Sequence, residues 1–155
     1  MAVHKDRSSA THFLNVDLDI YSRHDLQPLV RAFGRKVIAL YVGPDRRRYC
    51  AHLELARFSK SADSTIRAFC GLLKSLPSAE QDLWNAAEGR DFNIGVQAGT
   101  HPHSSEFALA AETLKAAHEL GARIVLTVYA PEEPRKSVAK GRAGSKKVDG
   151  AAPGG

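Results

Sequence analysis

The clearest pattern along the chain lies in FLNVDLDIY, residues 13–21. Leu14, Val16, Leu18 and Ile20 alternate there with Phe13, Asn15, Asp17, Asp19 and Tyr21. Successive side chains of a strand point to opposite faces, so the alternation predicts a half-buried strand with an amide and two carboxylates in a row on its polar side. The next stretch, RHDLQPLVRAFG, predicts a short helix. Asp25 suits its N-cap, Pro28 is tolerated in its first turn, and Leu26, Leu29, Val30 and Phe33 share a face before Gly34 stops it. KVIALYV (36–42) is a near-continuous apolar run whose β-branched and aromatic content suits a central strand. GPDRRR reads as a turn, after which RYCAHLELARF returns as the second arm of a hairpin. Tyr49, Ala51, Leu53 and Leu55 then face one side, and Cys50, His52 and Glu54 the other.

KSADSTIRAFCGLLKSLP carries the strongest helical period. Ser61 suits the N-cap, Ala62, Ile66, Phe69, Cys70, Leu73 and Leu76 form one stripe, and Pro77 ends it. A second helix restarts with Ser78 as cap and Gln81 completing a capping box; it turns Leu83, Trp84 and Ala87 inward and ends at Gly89. DFNIGVQAG (91–99) predicts a strand weakened by Gly95, THPHSSE a loop, FALA a short strand, AETLKAAHELG a helix closed by Gly121, and ARIVLTVYA the last strand. The predicted order is β-α-β-β-α-α-β-β-α-β. Without regular βα alternation this indicates an α+β fold, a mixed and largely antiparallel sheet with helices packed on one face. We expect a flexible N-terminus over residues 1–10, one domain over 11–132, and a disordered Lys/Gly/Ala-rich tail over 133–155.

Composition refines this picture. The 155 residues are 43% hydrophobic, enough for one core. The net charge of +5 is uneven: residues 133–155 hold six bases (Arg135, Lys136, Lys140, Arg142, Lys146, Lys147) against Glu133 and Asp149, which accounts for +4 of it. Basicity therefore argues for nucleic-acid contact through the tail and not the body. Cys50 and Cys70 form no CxxC pair and read as buried apolar groups in a reducing compartment. The beginning MAVHKDRSSATH lacks the apolar run of a signal peptide, and no stretch approaches the roughly 18 apolar residues of a membrane span. These features lead us to expect a cytoplasmic protein without membrane contact.

Several groups could carry chemistry. Asp17 and Asp19, about 7 Å apart on a strand, could share Mg²⁺ or Ca²⁺ with Asn15, or could simply form the wet face of a sheet. His101 and His103, with His52 or His12, could bind zinc, but HExxH and Cys-Cys-His spacings are absent. GxSxG is absent, and Cys70 lies on the buried stripe of its helix, which suits a structural thiol. Cys50 stands two residues from His52 on the same face. GRAGSKK (141–147) has the wrong glycine spacing for a P-loop. Arg46, Arg47 and Arg48 form a basic turn that, with Lys136, Lys140, Arg142, Lys146 and Lys147, could contact phosphates.

Two segments, FALAAETLKAAHELGARIVLTVYAPEE (107–133) and IRAFCGLLKSLPSAEQDLWNAA (66–87), resemble the bacterial family called domain of unknown function 4279 over roughly residues 12–132. Tyr49 stands where members tend to carry a tryptophan. The resemblance implies a small α+β domain with a partner-binding role and no known chemistry; some members are suspected immunity proteins that neutralise toxins. We therefore expect a non-catalytic protein-binding module, including an immunity-like role, with Asn15, Asp17 and Asp19 on its binding face and no cofactor. Two other readings stay open: a nucleic-acid accessory protein acting through the tail, and a metal-dependent enzyme using Asp17, Asp19 and His52 or His103.

Overall fold

The computed structural model describes residues 10–131. Its elements are β1 (His12–Ser22), α1 (Gln27–Phe33), β2 (Val37–Asp45), β3 (Arg48–Leu55), α2 (Ala62–Lys74), α3 (Ser78–Asn85), β4 (Gly89–Gln97), α4 (Ala111–Glu119) and β5 (Arg123–Tyr129). The strands form one sheet in the order β2-β3-β1-β4-β5. Every pairing is antiparallel except β4–β5, where α4 supplies the crossover a parallel pair requires. The expected α+β architecture is therefore present. Residues 1–9 and 132–155, with the basic tail, lie outside the described residues.

The core occupies one face of the sheet. Val16, Leu18 and Ile20 of β1, Ala51 and Leu53 of β3, and Phe92, Ile94 and Val96 of β4 cluster with Leu29 and Phe33 of α1, the α2 stripe, Trp84 and Ala117. All six residues predicted for that stripe, Ala62 to Leu76, are buried, and each large one contributes roughly 1.5–3 kcal/mol by leaving water. The Phe69 and Phe92 rings lie 6.0 Å apart, which fastens α2 to the middle of the sheet. Ser61 caps α2 as expected, accepting a hydrogen bond from the Ser64 amide. No helix of the described residues is long and apolar enough to cross a membrane.

Several expectations are corrected. The predicted strand FALA is absent; residues 102–110 are irregular, and the Ala110 amide donates to Asp63 on α2 instead of to a strand. The KVIALYV run is an edge strand and not a central one: Ile38 and Leu40 are 50% and 54% exposed, because β3 pairs with β2 on one side only. Phe13 packs against the core, because the register shifts between Phe13 and Asn15 and an extra residue turns it away from the polar row. The turn after β2 is only Arg46 and Arg47, with Gly43 and Pro44 inside the edge strand, where proline is tolerated. Helix α3 starts at Ser78 with Pro77 as its N-cap residue, so Ser78 does not cap it; Gln81 reaches back to the Leu76 carbonyl. That helix ends at Asn85, and Gly89 opens β4. At α1 the N-cap residue is Leu26, although Asp25 still accepts from the Gln27 amide.

Candidate functional site

The sheet face opposite the helices carries the residues with chemistry. Strand register lines five of them up across all five strands. Tyr41 (β2) stands beside His52 (β3), His52 beside Asp19 (β1), Asp19 beside Asp91 (β4), and Asp91 beside Arg123 (β5). His52 Nδ1 lies 2.7 Å from Asp19 Oδ1. Asn93 Nδ2 donates to the other Asp19 oxygen at 3.4 Å, and Thr127 Oγ1 donates to Asn93 Oδ1 at 2.7 Å. Arg123 grips Asp91 with two parallel bonds, Nε to Oδ1 at 2.8 Å and Nη2 to Oδ2 at 2.7 Å, the fork geometry that best matches a carboxylate. The Tyr21 ring meets the His52 imidazole edge-on, 5.9 Å between centroids.

One step along the sheet, Asp17 and Glu54 are bridged by Asn15, whose amide donates to Asp17 Oδ1 at 3.0 Å and also to Glu54 Oε1. Among the described residues, neither carboxylate forms an ion pair. Partial burial, reinforced by the charges of Glu54 and Asp19 and a hydrogen bond to Glu54, pushes the Asp17 carboxyl up to about 6. Asp17 therefore keeps its proton into mildly acidic solution and can donate it to Glu54. Gly95, opposite Asn15 on β4, leaves room for that amide: a Cβ there would lie 3.0 Å from Asn15 Oδ1.

The structure thus gathers Asn15, Asp17 and Asp19 on one face, half-buried or buried and already bonded to neighbours instead of standing free in solvent. His52 joins them. His101 lies elsewhere, bridged to Ala10 ahead of β1, and His103 is exposed in the following loop. Among the described residues no group of three or more His, Cys, Asp or Glu side chains is placed to hold a metal ion. Both cysteines are buried, and burial raises both thiols, which disfavours a thiolate. Lys136, Lys140, Arg142, Lys146 and Lys147 lie outside the described residues.

Arg46, Arg47 and Arg48 sit at the tip of the β2–β3 hairpin, at one end of the sheet. There they line a cleft of about 630 Å³ with Arg23, Asp45 and Glu88. Sequence reasoning did not single out Asp91, Asn93, Tyr41, Arg123 or Arg23. The first two were findable: DFNI repeats the polar–apolar alternation of VDLDI, which places Asp91 and Asn93 on a wet face. Arg123 and Arg23 carry no local signal. No family model, curated protein or solved structure matches the chain.

Proposed function

We propose that this chain is a non-catalytic protein-binding module, acting in the cytoplasm, whose sheet face opposite the helices docks a basic partner protein. The observation that carries the reading is the order of that face: side chains from four of the five strands, β1, β3, β4 and β5, are already held by hydrogen bonds to one another. A surface fixed before binding loses little side-chain freedom on docking. Its charge sets the kind of partner. Asp17, Asp19, Glu54 and Asp91 outnumber His52 and Arg123, and the Asp17–Glu54 pair has no cation among the described residues. A lysine or arginine delivered by a partner takes the place of the proton that the pair holds only below about pH 6. Tyr41, 46% exposed at the rim, adds the flat amphipathic surface common at interface centres. The resemblance to domain of unknown function 4279, with its suspected immunity proteins, favours the same reading.

The test is capture from nuclease-treated native lysate on the immobilised full-length chain, in parallel with an Asp17→Asn/Glu54→Gln variant that keeps shape and loses charge. The reading expects one protein retained stoichiometrically by the wild type and about tenfold or more weakly by the variant, as loss of a charge-assisted contact of about 1.5 kcal/mol or more requires. Equal retention by both, or a catch that disappears with nuclease, overturns it.

A further inference from the structure

We propose that the cleft at the tip of the β2–β3 hairpin binds a phosphate group carried on a larger ligand. This site is separate from the polar face discussed above and does not depend on that face having a partner.

The cleft is built from three segments far apart in sequence. Arg23 follows β1, Asp45 to Arg48 form the hairpin tip, and Glu88 precedes β4. The pairing of Tyr21 with Gly89 and of Ser22 with Tyr49 brings the three to the same end of the sheet. The Glu88 amide donates to the Tyr21 carbonyl at 2.8 Å and ties the third segment to the first. All six lining residues are charged, four of them arginines, so the cleft suits an anion.

The two carboxylates are already occupied. Glu88 accepts from Arg23 Nε at 2.5 Å, and Asp45 lies 3.7 Å from Arg48 Nε. Among the described residues Arg46 and Arg47 have no acidic partner, which leaves the cleft with two uncompensated guanidinium groups. The acids thus hold Arg23 and Arg48 in place while Arg46 and Arg47 face the ligand. Arg48 is further fixed by its guanidinium lying 4.3 Å over the Tyr21 ring. Several guanidinium forks around one space can engage the oxygens of a phosphate from more than one side, an anion arginine recognises bidentately.

The backbone adds a separate argument. Arg46 has φ +56°, the left-handed region that two-residue hairpin turns normally give to glycine or asparagine. A side chain with a Cβ costs about 1–2 kcal/mol there. The hairpin absorbs that cost with a brace: the Tyr41 hydroxyl donates to the Pro44 carbonyl at 2.7 Å. Gly43 makes room for the brace, since a Cβ on it would come 3.1 Å from the Tyr41 hydroxyl. An arginine kept where glycine is more stable points to a use for the guanidinium.

The experiment uses the full chain and an Arg46→Gly/Arg47→Ser variant. Inorganic phosphate is titrated at low ionic strength and followed by backbone amide NMR. The proposal expects shifts at residues 46–48 that weaken about tenfold or more in the variant. It also expects Arg46→Gly alone to raise the melting temperature and the double variant to melt no lower than the wild type, which shows that the loss of binding is not a loss of fold. A single-stranded oligonucleotide is the second probe. Binding at least about tenfold tighter than inorganic phosphate, and lost in the variant, assigns the phosphate to a nucleic-acid backbone; binding no tighter assigns it to a small phosphorylated ligand. Absence of shifts at 46–48, shifts confined to residues 132–155, or undiminished binding by the variant overturns the proposal.

Discussion

Asp19 and Asp91 stand directly opposite each other on β1 and β4, and each turns to a base on its far side. Asp19 meets His52 at 2.7 Å, and Asp91 meets Arg123 through two bonds. Like charges facing each other across an antiparallel pair are destabilising unless something separates or neutralises them. Here the flanking strands supply a hydrogen-bonding partner, His52, for one carboxylate and a counter-charge, Arg123, for the other, and the row continues to Tyr41 at the rim.

Arg123→Ala should therefore lower stability although the arginine side chain itself is 73% exposed, because Asp91, 10% exposed, loses its counter-charge beside Asp19. Asp91→Asn should relieve that penalty in the Arg123→Ala background. Urea unfolding of the two single variants and the double checks this. A double variant less stable than Arg123→Ala alone contradicts the account.

The Asp17 carboxyl, raised from near 3.8 to about 6 by burial and by Glu54, opposes folding once it is charged. The folded state keeps the proton between about pH 4 and pH 6 while the unfolded chain releases it. Stability should accordingly fall as pH rises through that window and level off above it. Asp17→Asn should flatten this part of the profile. Above pH 6 it should be more stable than the wild type by about 1–2 kcal/mol, allowing for solvent screening of a half-buried group. Melting temperatures at pH 4, 5, 6 and 7.5 for both proteins provide the measurement.

Asp63 behaves in the opposite sense. The Thr113 hydroxyl, buried and without a partner at full hydrogen-bond geometry, faces it; the Ala110 amide and the Arg67 guanidinium donate to it, and its carboxyl is held to about 2. A depressed pKa contributes stability that is present above about pH 4 and is lost as pH falls towards 2. Asp63→Ala should remove that acid limb and loosen the join between α2 and the start of α4. Acid titration followed by far-UV circular dichroism should show a shallower loss between pH 4 and 2 than in the wild type.

Trp84 is the single tryptophan of the chain, 3% exposed, and its Nε1 donates to the Leu120 carbonyl at 3.0 Å. Trp84→Phe should leave that carbonyl unpaired and a gap beside it, at a cost of about 1–3 kcal/mol. Because the indole reports where α3 meets the end of α4, wild-type tryptophan fluorescence and circular dichroism should unfold together in urea. Separate transitions would show that this corner opens independently of the sheet.

How much of this was legible in the sequence depends on how far apart the interacting residues lie. The alternation in VDLDI and in RYCAHLEL placed Asp17, Asp19, His52 and Glu54 on the polar faces of their strands, since side-chain direction on a strand is a local property. Ser61 and the stripe from Ala62 to Leu76 were readable for the same reason, because cap and period lie within one helix. KVIALYV misled because hydropathy reports a preference for burial and not the number of neighbouring strands. FALA misled because a strand exists only where a partner edge is offered, and its backbone found Asp63 instead.

By itself, then, the sequence determined most of the elements, the inward faces of the central strands and of α2, and the α+β class, all of which follow from periodicities a few residues long. Only the tertiary structure decided the strand order and register. Those join Asp19 to His52 across 33 residues and to Asn93 across 74, and they draw Arg23 and Glu88, 65 residues apart, to the arginine turn. The physical reason is that a carboxylate's partners and proton affinity belong to whatever the folded chain places within a few ångströms. Local pattern gives the direction of a side chain, and long-range pairing selects what it meets.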